Sequence, residues 1–256
     1  MIRTILWFAG MGLSLILLSP LAIYYRFKLK HIPGEPIDSG VDKIARKWAE
    51  CMLACAGVKV QVEGNENIPK ETALFVGNHQ GNFDIPIILS KLGPLKSILA
   101  KVETSKIPGV RMWMVHFDCI FMDRSDPRQS LESLKRAQEL LEQGRSVIIF
   151  PEGTRSKGPD MIEFKAGALR CALKAQVPIV PFALDGSWKA MEEHNGWMKP
   201  AEVKLHILPK ISTADMPKAQ TRTVSQKVQQ AIQDELDRMR GTPQEERISW
   251  TTRSDS

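Results

Sequence analysis

The sequence predicts an α/β protein: a mostly parallel sheet wrapped by helices, with an N-terminal membrane-associated helical segment. Short apolar runs of strand length alternate with amphipathic runs of helix length, and polar clusters follow three of the predicted strands. The 256 residues suffice for one such domain with a sizeable core. Because ligands bind beyond the carboxyl ends of parallel strands, the three clusters predict a functional site at one edge of the sheet.

Residues 1–30 predict a membrane helix. Residues 4–25 contain no charged side chain, and at about 1.5 Å per residue they make roughly 33 Å of helix, enough to cross a bilayer's hydrocarbon core. More positive charge follows this segment than precedes it, which predicts an inner (cytoplasmic) membrane protein whose main domain faces the cytoplasm. A cleaved signal peptide and a buried core helix are the alternatives, and Pro20 leaves open whether the helix spans the membrane or lies in its interface.

Residues 31–57 predict a linker followed by an amphipathic helix. Proline and glycine are frequent in 31–40, which is typical of a linker. Residues 41–57 carry apolar side chains at helical spacing and end at Gly57, so this helix either packs on the domain or lies on a membrane. Cys51 and Cys55 are four residues apart, which predicts two small buried apolar side chains on one helix face.

Residues 58–240 predict the main α/β domain. Strands are expected at 58–64, 73–78, 97–101, 119–122, 146–150, 179–184 and 203–208. Helices are expected at 85–92, near 109–116, and at 126–144, 164–175 and 221–240. The polar tail, 241–256, is expected to be disordered.

The first polar cluster is GNHQGNFD, residues 77–84, which contains one histidine and one aspartate. A histidine exchanges protons near neutral pH, and as a general base it needs a partner on its other ring nitrogen. On one regular helix a five-residue offset places two side chains about 140° apart, so a turn is needed to bring Asp84 to His79. Taken alone, the pattern favours a turn whose aspartate caps the helix of 85–92.

The second cluster is FPEGTRS, residues 150–156, which follows a buried strand. Gly153 permits close approach of a ligand to the backbone. Glu152 offers an acceptor for a hydroxyl group, and Arg155 offers a cation for an oxyanion. Solvated side chains on a turn are the alternative for this cluster.

The third cluster is basic. Arg124 ends the run IFMDR (120–124), and Lys101 ends the preceding strand. Two cations at neighbouring strand ends predict a phosphate site, with solvated basic side chains as the alternative.

Together, NHQGNFD, IFMDR, FPEGTRS and VPIVP (177–181) resemble the four motifs of the glycerolipid acyltransferase family in order and separation. The likeness covers roughly residues 41–210, and it is strongest to the members that make phosphatidic acid. It implies that the chain transfers an acyl group to the sn-2 hydroxyl of 1-acyl-glycerol-3-phosphate (lysophosphatidic acid). The donor would be acyl carrier protein or a CoA thioester.

The resemblance also implies roles for individual residues. His79 would deprotonate the acceptor hydroxyl, and Asp84 would orient His79 and stabilise its protonated form. Arg124 and Lys101 would bind the acceptor phosphate, although Lys101 stands in K-V-E rather than the family's commoner K-x-E-L. The acceptor site would be lined by Glu152, Gly153, Thr154 and Arg155, and residues 177–181 would shape the acyl pocket.

No cofactor or metal is implied, because the four cysteines lack C-x-x-C spacing and no histidine cluster accompanies them. The net charge of +6 suits anionic membrane surfaces, but no nucleic-acid motif is present. Three alternatives stay open: an acyltransferase for another lysolipid, a lipid or thioester hydrolase, and a non-enzymatic scaffold. The absence of a G-x-S-x-G sequence disfavours a serine hydrolase.

Overall fold

The structure is a computed structural model in which residues 1–28, 37–165, 167–214, 216 and 220–241 are described. Most of the predicted linker (31–36) and of the predicted disordered tail (242–256) lies outside the described residues. Over the described part, the strands are β1 (Val58–Glu63), β2 (Leu74–Gly77), β3 (Ser97–Lys101), β4 (Ile120–Met122), β5 (Val147–Ile149), β6 (Ile179–Asp185) and β7 (Ala201–Ile207). The helices are α1 (Ile2–Lys28), α2 (Ser39–Ala56), α3 (Asp84–Lys91), α4 (Pro108–His116), α5 (Pro127–Glu142), α6 (Arg170–Ala175) and α7 (Thr221–Arg240).

The strands form one sheet in the order β1-β7-β6-β2-β5-β3-β4. The five strands from β6 to β4 are parallel to one another, whereas β7 is antiparallel to β6 and pairs in parallel with β1. The mostly parallel α/β fold is therefore confirmed. The carboxyl ends of β2, β3, β4 and β5 lie at the same edge, and the three polar clusters follow these ends.

Helices cover both faces of the sheet. Phe75 of β2 belongs to a core shared with α1, α2, α3 and α4, whereas Leu74 and Val76 belong to a second core shared with α5, α6 and α7. Successive side chains of a strand point to opposite faces, so an uninterrupted apolar run such as β2 is what a doubly covered strand requires.

Helix ends follow local sequence signals. Asp126 caps α5 by accepting hydrogen bonds from the N–H groups of Arg128 and Gln129, and Pro127 fills the first helical position. Asp38 caps α2 in the same way, and Gly57 ends α2 with a φ of 76°. Helix α2 thus begins at Ser39, inside the predicted linker.

Two predictions about helices are wrong. α6 covers only Arg170–Ala175 rather than 164–175, because the Phe164 N–H donates to the Gln229 side chain and the Lys165 N–H to the Pro151 carbonyl. Cys51 and Cys55 are exposed rather than buried. The side of α2 that packs on the domain carries Val41, Ala45, Ala49, Met52, Leu53 and Ala56 instead.

Helix α1 packs lengthwise on the domain with one face. The Trp7 indole donates to the Met52 carbonyl at 2.9 Å, and the Trp48 indole donates to the Ser14 hydroxyl at 2.9 Å. Near its far end, the Ala22 carbonyl lies 3.0 Å from a ring nitrogen of His116.

The opposite face of α1 is apolar and exposed. Its exposed residues include Ile5, Leu6, Leu13, Ile16 and Leu17. Among the described residues, α1 is also the one helix long and apolar enough to cross a membrane. A helix with one face on protein and the other unpartnered and apolar indicates association with a membrane.

Candidate active site

The chain beyond β2 is held by hydrogen bonds to β6 and to the residues after β6. The Asn78 side chain donates to the Leu184 carbonyl and accepts from the Leu184 N–H, both at 2.8 Å. Gln80 Oε1 accepts from the Gly186 N–H at 3.0 Å. Asn78 and Gln80 are each 1% exposed, so these two side chains point into the protein.

His79 lies between these two anchors and contacts Asp84. Nδ1 of His79 is 2.6 Å from Oδ2 of Asp84, and the same oxygen accepts from the Gly81 N–H at 2.9 Å. Because a carboxylate accepts hydrogen bonds, the proton of the pair is assigned to Nδ1, which leaves the lone pair on Nε2. Asp84 is fully buried, and the His79 side chain is 13% exposed.

Asp84 does not cap the following helix, and the cap that the isolated pattern predicts is therefore wrong. It is the first residue of α3, and Phe83 holds the cap position without a side-chain hydrogen bond. The carboxylate turns back towards Gly81 and His79 instead. Its place in the first helical turn suits a negative charge, since the amino end of a helix carries partial positive charge.

Two phenylalanines fix the ring of His79. Phe150, at the end of β5, stacks on the imidazole with ring centres 4.3 Å apart and planes 20° apart. Phe182 of β6 supports Phe150 in an edge-to-face contact. A Cβ atom at Gly77 would lie 2.1 Å from the Phe182 ring, so glycine is required there. Neither phenylalanine had a predicted role: Phe150 opens the FPEGTRS cluster without one, and Phe182 lies on a strand distant in sequence from His79.

Glu152 joins the second cluster to the first. Its Oε1 accepts from the His79 N–H at 2.6 Å, and its Oε2 accepts from the Ile162 N–H at 2.9 Å. It is 3% exposed, and burial raises the pKa of Glu152 to about 7, with the two N–H bonds opposing the rise. Both oxygens are thus engaged by backbone, so Glu152 holds the histidine segment in place.

The rest of the second cluster lies beside this contact. Gly153 has a φ of 74°, a conformation that favours glycine. Arg155 donates to Glu192 at 3.0 Å. Thr154 is exposed.

The two predicted phosphate-binding cations lie at neighbouring strand ends. Lys101 ends β3 and pairs in register with Met122 of β4, two residues before Arg124. Arg124 is half-buried and donates to the Gly153 carbonyl; burial lowers its pKa, with the Glu103 carboxylate opposing that effect. Lys101 is more than half exposed, and its ammonium lies 2.8 Å from Glu103. The structure therefore brings Arg124, but not Lys101, into direct contact with the second cluster.

An apolar cavity of about 170 Å³ lies between the sheet and helices α1 to α4. Its lining includes Ile85 and Leu89, which follow Asp84 on α3, together with Trp48 and Trp113. Residues 177–181 are not part of this lining.

One group of potential metal ligands occurs within the described residues, away from these clusters. Glu63, His206 and Glu235 lie together where β1, β7 and α7 meet. Arg238 donates to both Glu63 and Glu235, so an arginine already occupies the position between the two carboxylates.

Comparison with known proteins places the chain in a family. Residues 59–185 match the family model described as Acyltransferase. A 1-acyl-sn-glycerol-3-phosphate acyltransferase of Limnanthes douglasii is 30% identical over 206 residues, which are 80% of this chain and 68% of that protein. The chain belongs to the acyltransferase family. Every residue predicted for the site, from His79 to Arg155, lies inside the matched segment.

Other relatives agree with this assignment. A protein of Mycoplasma pneumoniae named as a probable 1-acyl-sn-glycerol-3-phosphate acyltransferase is 39% identical over 144 residues, and this chain spans about half of its length, 54%. The crystal structure of PlsC, the 1-acyl-sn-glycerophosphate (LPA) acyltransferase of Thermotoga maritima, superimposes with a TM-score of 0.80 at 24% identity. That superposition covers 93% of this chain and 95% of the other, and it confirms the fold.

Proposed function

We propose that this protein transfers an acyl group from acyl carrier protein or a CoA thioester to the sn-2 hydroxyl of 1-acyl-glycerol-3-phosphate, giving phosphatidic acid. The observation that carries the proposal is the 2.6 Å contact between His79 and a fully buried Asp84, at the carboxyl end of β2. It lies in the segment that matches the acyltransferase model, and relatives of this chain are named for this reaction.

His79 would act as the general base. Its Nε2 takes the proton of the acceptor hydroxyl while that oxygen attacks the carbonyl carbon of the thioester. The tetrahedral intermediate then collapses, the carbon–sulfur bond breaks, and the proton passes from Nε2 to the leaving sulfur. Asp84 stabilises the imidazolium between these two transfers. The residues named here perform every proton transfer without an acyl-enzyme, and the proposal needs no cofactor or metal.

Arg124 would bind the phosphate of the acceptor. One of its guanidinium N–H groups donates to the Gly153 carbonyl, and a guanidinium has five N–H donors in a planar fork that fits phosphate oxygens. Lys101 lies at the next strand end and would add a more distant, exposed charge. Gly153, Thr154 and Arg155 would form the adjoining wall of the acceptor site, and the buried Glu152 would support that wall through its bonds to the His79 and Ile162 N–H groups.

The apolar cavity beside α3 would receive the acyl chain. Its lining is almost wholly apolar, and Ile85, one of its residues, directly follows Asp84. A cavity of this character excludes water and favours a hydrocarbon chain over any polar ligand. The contribution of residues 177–181 to an acyl pocket remains a prediction.

The exposed face of α1 would lie in the inner (cytoplasmic) membrane, with the catalytic domain on the cytoplasmic side. Because its other face packs on α2 and α4, we infer that α1 is embedded sideways in the interface rather than crossing the bilayer. Both lipids of the reaction reside in the membrane, so an enzyme held at that surface meets its acceptor there, and its basic charge favours anionic head groups.

The test is acyl transfer from a labelled acyl thioester by the full-length protein in lipid vesicles. Parallel reactions contain lysophosphatidic acid, a lysophospholipid with a different head group, or no acceptor. Acyl-CoA and acyl carrier protein are compared as donors. Phosphatidic acid is expected only with the first acceptor, and His79→Ala is expected to abolish it.

The other outcomes identify the alternatives. Transfer only to the second lysophospholipid would keep the mechanism and replace the acceptor. Release of free fatty acid in every reaction would indicate a hydrolase. His194→Ala serves as the control for histidine removal, because His194 lies outside the His79–Asp84 site and its ring pairs with Glu193 at 3.4 Å.

A further inference from the structure

The connection from β6 to β7 holds the histidine segment from one side, and the part that does so is residues 186–192. Gly186 bonds to the Gln80 side chain. The side-chain Nδ2 of Asn82 donates to Met191 Sδ at 3.3 Å, and the backbone N–H of Asn82 donates to Glu192. Gln80 and Asn82 therefore contact this connection, while His79 contacts Phe150 and Asp84.

Glu192 connects two parts of the site through one carboxylate oxygen. Its Oε1 accepts from the Asn82 N–H at 2.8 Å and from the Arg155 guanidinium at 3.0 Å. One oxygen thus joins the turn between His79 and Asp84 to the arginine of the second cluster.

The surroundings of Glu192 leave it little freedom. Its side chain is 6% exposed, and a Cβ atom at Gly81 would lie 2.5 Å from Oε2. Oε2 is buried and has no hydrogen-bond partner within the described part of the chain. Burial raises the pKa of Glu192, with the Asn82 N–H and Arg155 opposing the rise. Burial of a carboxylate with one unsatisfied oxygen is energetically unfavourable. A carboxylate is therefore unexpected at this position if the side chain serves only for packing.

We propose that Glu192 is a positioning residue for this acyltransferase. It fixes the Gly81–Asn82 turn, and this turn holds the Asp84 carboxylate against His79. It also orients Arg155 towards the acceptor. The link to Asp84 is short, because the Gly81 N–H donates to the same Asp84 oxygen that contacts His79. The catalytic part of this inference rests on the proposed function.

The test compares Glu192→Ala with Glu192→Gln and with Glu193→Gln as the matched control. Glu193 is the next residue, 41% exposed, and pairs only with the neighbouring His194 among the contacts described. Glu192→Ala is expected to lower kcat about 10- to 100-fold, the scale of a misplacement of about 1 Å. Glu192→Gln keeps an oxygen acceptor and is expected to stay within about fivefold of the wild type, since a neutral hydrogen bond replaces a charged one.

The separate effects on kcat and on KM for the acceptor distinguish the two contacts of Glu192. Arg155→Ala removes only the arginine contact, so it is expected to raise KM for the acceptor with little change in kcat. Glu192→Ala is expected to change both constants, because it also frees the Asn82 N–H.

The second readout needs no activity. In protein labelled with ¹⁵N-histidine, the His79 Nδ1–H resonance, identified by its loss in His79→Ala, is expected to shift in Glu192→Ala and to stay unchanged in Glu193→Gln. If the wild type transfers no acyl group, the proposed function fails, and this resonance alone decides the positioning role. An unchanged resonance, together with wild-type kcat per folded molecule where activity exists, would overturn the inference even if the melting temperature falls.

Discussion

Replacing Asp84 with asparagine is expected to lower kcat about 10³-fold while leaving the fold intact. The Gly81 N–H needs an oxygen at the position of Oδ2, so the asparagine amide places its oxygen there and its NH₂ where Oδ1 now lies. That oxygen still accepts from His79 Nδ1. The substitution therefore retains the tautomer and orientation of His79 and removes only the negative charge.

The magnitude follows from the charge that forms on His79 during the reaction. An imidazolium and a carboxylate with charge centres about 4 Å apart interact by about 4 kcal/mol at an effective dielectric constant of 20. Loss of that interaction corresponds to about 10³ in rate. The Oδ1 position is already without a hydrogen-bond partner in the described structure, so the buried NH₂ adds little cost to folding.

The assay is the initial rate of acyl transfer at saturating concentrations of both substrates, with thermal unfolding measured on the same samples. Asp234→Asn on the exposed side of α7 makes the same chemical change elsewhere and is expected to be neutral. His79→Ala combined with Asp84→Asn is expected to be no slower than His79→Ala alone, because the charge acts only through the imidazolium. An Asp84→Asn enzyme within tenfold of the wild-type kcat would refute the reasoning.

Three further substitutions concern Arg124, Glu152 and the exposed face of α1. Arg124→Ala is expected to raise KM for lysophosphatidic acid about 10- to 100-fold, because a charge-assisted bond to phosphate contributes about 1.5–3 kcal/mol. Arg128→Ala on the exposed start of α5 is the control. Equal KM values for the Arg124→Ala and Arg128→Ala enzymes would exclude the phosphate role. The pKa of Glu152 rises from 4.5 to about 7 on folding, so the free energy of unfolding of the wild type falls as the pH rises through that range. Glu152→Gln lacks this titration. Relative to the wild type, its free energy of unfolding is therefore expected to increase by about 3 kcal/mol between pH 4 and pH 8. A pH-independent difference in denaturant titrations would contradict that origin. Leu17→Lys on α1 is expected to weaken vesicle binding at least tenfold in flotation assays, whereas Leu131→Lys, at a similarly exposed leucine on α5, should not; equal binding by both would remove α1 as the membrane contact.

Local sequence predicts the elements of this fold better than the contacts between them. β3 begins and ends where its apolar run does, and α7 occupies the predicted residues, because strand and helix periodicity and capping are local properties. The short α6 departs from its pattern because Phe164 and Lys165 bond to α7 and to Pro151. Cys51 and Cys55 lie on a helix whose buried face is chosen by its neighbours, which the helical spacing alone does not identify.

The same distinction applies to the site. The contact between His79 and Asp84 is implied by the resemblance to the acyltransferase family, whereas the five-residue spacing alone favours an aspartate that caps α3. The contacts of Phe150 and Glu192 were not predictable. Phe150 follows β5 and Glu192 lies between β6 and β7, so both are distant in sequence from the histidine segment that they contact. Glu152 was found as a site residue, but its bonds to two backbone N–H groups depend on the packing of β5 beside β2.

The attachment of α1 makes its length matter more than the identity of its apolar residues. Thr4, Trp7, Ser14 and Ala22 all bond to the domain. One residue inserted between Trp7 and Ser14 would rotate the rest of the helix by about 100°. Ser14 and Ala22 would then no longer face their partners on the domain, and the exposed apolar face would point sideways. Exchanging one exposed apolar residue for another leaves this attachment unchanged. If the exposed face of α1 lies in a membrane as proposed, we expect such an insertion to weaken membrane binding while leaving the His79–Asp84 contact unchanged.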